Sequence, residues 1–134
     1  MKLILVAYDG TDAAKTALKR AASIKADSYG VVSVAPTVAS VGRSAGAVDP
    51  TDGIDVHRAE ASEGQALLKE LGVSADVLVA VGDPGHAICE VAREKSADLI
   101  ILGSRDLRGL KKVLLGSVSS YVAGHAPCDV LIVR

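Results

Sequence analysis

Tryptophan and phenylalanine are absent from this chain of 134 residues, and aromatic side chains make up only 2% of it. A core must therefore be filled by Ala, Val, Leu and Ile, small and β-branched side chains that suit helices lying close on a buried parallel sheet. Basic segments interleaved with aromatics, the stacking platform of single-stranded nucleic-acid binders, are missing as well. So is an excess of one charge: 15 basic side chains stand against 16 acidic ones, a formal net charge of −1. No overall field draws such a chain to nucleic acid or to an acidic membrane. The two cysteines, Cys89 and Cys128, are neither close in sequence nor part of a Cys-x-x-Cys pair. That excludes a disulfide framework or a zinc site and leaves two reduced, buried thiols as the expectation. The N-terminal apolar run that begins at Leu3 ends before Asp9, too short for a signal peptide or a membrane span, and a cytoplasmic protein with no membrane partner is expected. His57, His86 and His125 are scattered, with no metal-ligand spacing to the cysteines, and His125 beside Cys128 reads as packing at a helix end and a strand start. No Ser-His-Asp arrangement or carboxylate pair is legible, so hydrolytic catalysis has no support in the sequence.

What is present is a packed interior. Hydrophobic residues make up 49% of the chain, which argues against disorder, and the length suits one domain over 1–134 rather than two. Strand-like runs occur at "KLILVAY", "GVVSVA", "DVLVAV", "DLIILG" and "DVLIV", each apolar at nearly every position. Continuous apolar runs mean burial on both faces, the mark of a parallel sheet. Between them lie segments of helical period. In "TDAAKTALKRAASIKAD", Ala14, Ala17, Leu18, Ala21 and Ile24 share one face and Thr11 or Asp12 can cap the start. A second helix is expected through "EASEGQALLKELG", with Leu67, Leu68 and Leu71 buried and Gly72 as its stop. A third, "GHAICEVAREKSA", follows Pro84 and turns Ile88, Val91 and Ala92 inward. The fourth starts at Ser117 and ends before Pro127. Alternating strands and helices predict a doubly wound α/β fold with a five-stranded parallel sheet and four helices. Ligands in such sheets bind beyond the carboxyl ends of the strands, near the switch point. The segment Pro36 to His57, rich in Gly, Pro, Ser and Asp, shows no period and predicts a flexible loop over about 36–58.

One region concentrates the residues that phosphate binding needs. The first strand ends in Asp9, Gly10 and Thr11, the fourth in Gly103 and Ser104, and the fourth helix opens with Gly116, Ser117 and Val118. A helix N-terminus presents unpaired N–H groups, and glycine lets an anion approach the backbone. Arg105, Arg108, Lys111 and Lys112 add positive charge to the connecting segment. The same residues also satisfy a plainer account, in which Ser117 caps a helix and the glycines turn the chain. A Walker A loop is absent, since "GLKKVLLGS" lacks its spacing.

The opening "ILVAYDGTDAAKTAL", the "AVGDPGHAI" turn, "ADLIILGSR" and above all "GLKKVLLGSVSSYVAGHAPCDVLIVR" resemble the universal stress protein family over nearly the whole chain. The resemblance implies a Rossmann-like fold of the adenine nucleotide alpha hydrolase type. ATP-binding members are similar in carrying Gly-x2-Gly-x9-Gly-Ser/Thr, here Gly103-x2-Asp106-x9-Gly116-Ser117. It also implies that Gly103, with Ser104 and Arg105 beside it, lies against ribose and phosphates, and that Gly116, Ser117 and Val118 give N–H groups and a hydroxyl to the phosphates. In the same way Asp9, next to Gly10, would sit near ribose, phosphates or metal, Ala7 would line the adenine pocket, and the Val34 backbone would read the adenine edge. Asp106 departs from the pattern. A carboxylate within ~4 Å of a phosphate costs on the order of a few kcal/mol at an effective dielectric near 20, unless Arg105 or Arg108 compensates. Asp106 or Asp9 could instead help hold the magnesium of magnesium-ATP, which prefers carboxylates and phosphate oxygens. The resemblance further implies a homodimer through the last strand, 129–133, with a regulatory protein partner that the sequence does not name. Two functions follow: an ATP-binding stress-response sensor, at most a slow ATPase, or a dimeric module of the same fold in which Asp106 has closed the phosphate site.

Overall fold

The computed structural model describes residues 1–36, 50–104 and 116–134. Five parallel strands, β1 Leu3–Ala7, β2 Ser28–Ala35, β3 Asp76–Val81, β4 Leu99–Gly103 and β5 Asp129–Val133, form one sheet in the order β3-β2-β1-β4-β5. Helices α1 Asp12–Ala22 and α2 Pro50–Glu70 pack on one face, and α3 Pro84–Lys95 and α4 Ser117–His125 on the other. The chain reverses its winding between β1 and β4, which lie side by side with Val6 opposite Ile101. This is a Rossmann-like, doubly wound α/β architecture, and the β1–β4 seam is its switch point.

Burial follows the pattern expected of strands covered on both faces. Ile4, Val6, Val31 and Ile101 face α1 and α2, while Leu5, Val32, Ile100 and Leu102 face α3 and α4. At the amino edge, the Asp98 carboxylate accepts from the N–H groups of Lys2 (2.6 Å) and Leu3 (3.0 Å), tying the start of β4 to that of β1. Those two bonds lower the Asp98 pKa. Helix α1 buries Ala14, Ala17, Leu18 and Ala21 and stops at Ala22, so Ile24 packs from the following turn. Helix α3 opens on Pro84 and buries Ile88 and Ala92, with Val91 half-buried against the same cluster.

Helix α2 departs from expectation twice. It begins at Pro50, ten residues before the expected start at Glu60, so 50–58 of the expected loop is helix; 37–49 lies outside the described residues. Its buried stripe is Ala61, Gly64 and Leu68, with Leu67 half-buried, whereas Leu71 is 47% exposed beyond the helix end. The stripe shifts because small residues let the helix lie close on β1 and β2: a Cβ at Gly64 would stand 2.9 Å from Val31 and 3.1 Å from the Tyr8 ring. Gly72 follows the helix end as its stop, as expected, at φ +86°.

Both thiols are unpaired, Cys89 buried and Cys128 half-buried, and burial raises both pKa values. His125 bonds the Tyr121 carbonyl (2.8 Å) and stacks on its ring, so its own helix engages it. Among the described residues no helix is long and apolar enough to cross a membrane.

Candidate functional site

A cleft of about 370 Å³ opens over the carboxyl ends of β1, β2 and β4. Ala7, Tyr8, Asp9 and Thr11 line it from β1 and the turn that follows, Val32, Val34 and Pro36 from β2, Leu102, Gly103 and Ser104 from β4, and Gly116, Val118 and Ser119 from the start of α4. His57 and Glu60 enter from α2, Pro84 and Ile88 from α3. Of the residues singled out in the sequence, Ala7, Asp9, Val34, Gly103, Ser104, Gly116 and Val118 line this one cleft. Gly10 and Ser117 do not line it; each is the chain neighbour of a residue that does. Arg105 and Asp106 lie outside the described residues.

The β1 end is internally satisfied. One Asp9 carboxylate oxygen accepts from the Thr11 hydroxyl (2.6 Å) and the Thr11 N–H (3.1 Å), and the Thr11 hydroxyl in turn accepts from the Ala14 N–H (3.2 Å). Gly10 makes this tight turn possible at φ +81°. Thr11 is thus the N-cap of α1, and Asp12 adds a carboxylate to its first turn.

The α4 end is different. Gly116 occupies the N-cap position with no side-chain cap bond, and no acidic residue stands in the first turn. Ser119 sends its hydroxyl back to the Gly116 carbonyl (3.1 Å) rather than forward to an N–H. Among the described residues the first-turn N–H groups of α4 therefore have no side-chain acceptor, and with the helix dipole they suit an anion. Gly103 has a reason of its own: a Cβ there would lie 2.6 Å from the Ala13 backbone carbon and 2.7 Å from its oxygen. Glycine here lets α1 close onto β4, and it forms the cleft floor as a result. For a metal the described residues are poor, since no three His, Cys, Asp or Glu side chains gather.

Sequence reasoning missed the far wall. Ser33, 1% exposed on β2, donates to Glu60 Oε1 (2.7 Å) and lies 3.0 Å from His57 Nδ1. Its signal was a hydroxyl inside an apolar strand, since a buried polar group demands a partner. Tyr8, also missed, is buried and donates to Glu63 (2.6 Å); burial first and that carboxylate second push its pKa far above the usual tyrosine range.

Comparison with known proteins settles the family. The universal stress protein family model matches residues 1–134. The chain belongs to the universal stress protein family. It is 37% identical to universal stress protein YxiE of Bacillus subtilis (strain 168) over 144 aligned residues, covering 98% of this chain and 97% of that one. A shorter match, 51% identical over 67 residues, joins 50% of this chain to a universal stress protein of Synechocystis, of whose length it spans 44%. Among solved structures, a universal stress protein crystallised in complex with cAMP superposes with a TM-score of 0.72 at 27% identity, covering 99% of this chain and 97% of that one. This universal stress protein thus shares its fold with a relative whose ligand is an adenine nucleotide.

Proposed function

We propose that this universal stress protein acts as one cytoplasmic domain that binds an adenine nucleotide, ATP with its magnesium, in the cleft at the switch point, and serves as a homodimeric stress-response regulator. The observation that carries this reading is the α4 N-terminus, which meets the cleft with glycine at its cap and no acidic residue in its first turn. In this reading Gly116, Ser117 and Val118 hold phosphate, Ala7 and Val34 flank the base, and Asp9 lies by the ribose. The relative crystallised with cAMP supports the ligand class. For the dimer, support comes from β5, an apolar strand at the sheet edge that pairs only with β4 among the described residues. Such an edge offers a row of unpaired N–H and C=O groups to a second copy.

A second reading, a dimeric module that binds no nucleotide, is favoured by Gly103, whose missing side chain helix packing already explains. Calorimetric titration of the gently purified protein with magnesium-ATP, with sedimentation of the same preparation, separates the two. Saturable heat with a dimer mass is the expected result. A dimer that carries no nucleotide and gives no heat would leave only the second reading, and a monomer would remove the role given to β5. Steady ATP hydrolysis at a useful rate would move the protein to the enzymes.

A further inference from the structure

We infer that His57, oriented by Ser33 and Glu60, is a specificity-determining residue that accepts a hydrogen bond from an amino group on the ligand's base, selecting 6-amino over 6-oxo purines. The inference rests on the nucleotide-binding reading and deepens it.

The wall that holds His57 is far from the phosphate end. Strands β2 and β4 flank β1 on opposite sides, and neighbouring strands lie ~4.8 Å apart, so the two ends of the cleft are separated by about 10 Å. A nucleotide whose phosphate meets the start of α4 therefore carries its base toward the end of β2, beside Val34, where His57 and Glu60 close the wall.

The protons in this wall can be assigned by counting. Ser33 has a single hydroxyl proton, and at 2.7 Å it goes to Glu60 Oε1, a carboxylate oxygen that can only accept. Toward His57 Nδ1, at 3.0 Å, the serine oxygen must then itself accept, so Nδ1 carries the proton. The same Glu60 oxygen lies 3.4 Å from Nδ1 and favours the same tautomer. A neutral imidazole has one N–H, so Nε2 keeps its lone pair. Nδ1 is engaged by Ser33 and His57 lines the cleft, so Nε2 is the ring nitrogen to which the proposal assigns the ligand. The His57 and Glu60 side chains are 22% and 24% exposed, enough to be reached and too little to turn freely. The set is no hydrolytic triad, because the Ser33 proton goes to the carboxylate and the histidine donates to the serine rather than accepting from it.

The test is a pair of titrations, ATP against ITP, at about pH 8, where an ordinary imidazole is neutral. The two ligands share ribose and triphosphate and differ at the 6-position of the purine. The wild-type protein should prefer ATP. In His57→Phe, which fills the space without an acceptor, the preference should fall by roughly tenfold, the worth of one neutral hydrogen bond, while ITP affinity stays near wild type. Ser33→Ala, a buried change of nearly equal size, frees the tautomer and should lower the preference part of the way, so the inference stays testable if His57→Phe folds poorly. An ATP-to-ITP ratio unchanged in both variants would overturn the role of His57 and leave nucleotide binding intact. If the wild type binds neither ligand, the reading beneath it fails and the inference goes with it.

Discussion

Helices α1 and α4 both present their N-termini to the same cleft, and they are finished in opposite ways. At α1, Thr11 caps the Ala14 N–H, Asp9 braces Thr11, and Asp12 puts a second carboxylate in the neighbourhood. At α4, glycine stands at the cap and the first turn holds no acid. Both helices carry the same dipole. In the proposed reading, what suits one of them to an anion is what has been left off it: a side-chain acceptor would satisfy the first-turn N–H groups, and a carboxylate would repel the ligand. The two ends are also joined mechanically, because α1 rests on Gly103, the residue that floors the cleft on the α4 side.

The most severe way to break this arrangement is Gly103→Ala. Its Cβ would press on the Ala13 backbone, which cannot step aside as a side chain could, and overpacking of this kind costs about 1–3 kcal/mol. Thermal unfolding should show a clear drop in Tm, with nucleotide affinity falling alongside as α1 lifts from β4. A wild-type Tm would refute the claim that packing demands this glycine. Next is Ser117→Asp, which gives α4 the chemistry of α1. A carboxylate beside a phosphate costs on the order of a few kcal/mol at an effective dielectric near 20, so nucleotide affinity should fall by at least about thirtyfold while the helix itself gains slightly from the acid at its start. Weaker binding in a protein that melts no lower is the expected signature; unchanged affinity would remove α4 from the phosphate site. The smallest change is expected for Thr11→Ala. Losing a threonine cap costs about 1 kcal/mol, visible in denaturant unfolding, and nucleotide affinity should hold. A large loss of affinity would show that Thr11 itself, and not only its neighbour Asp9, takes part in binding, and the contrast between the two helices would have to be redrawn.

How much of this was legible in the sequence depends on burial. The strands declared themselves because both faces are covered: Leu3 to Ala7 and Leu99 to Gly103 are apolar runs wherever they are met. Helix α1 was legible from its alanine stripe and its threonine cap. The beginning of α2 was not, because periodicity reports an apolar face pressed on a core, and from Gly53 to Glu60 no residue is fully buried. Val56 is 62% exposed there. Leu71 misled for the converse reason, as an apolar residue in phase with the helix that falls past its last turn. The floor of the cleft was legible as the pairs Gly103-Ser104 and Gly116-Ser117. Its far wall was hidden, since Ser33 meets Glu60 across 27 positions of sequence and nothing local signals that meeting.

The strand order has a kinetic consequence. Strands β1, β2 and β3 each pair with a sequence neighbour, whereas β4 joins β1 only across the whole of that unit: Ile4 lies opposite Leu99. Contacts of such separation form late, because loop closure must come before they return anything. The cleft straddles that late seam, with Ala7 and Asp9 on one side and Gly103 and Gly116 on the other. A molecule bound there meets its full set of contacts only in a chain whose seam has closed. It should leave the folding rate nearly unchanged and slow the unfolding rate, lengthening the life of each folded copy.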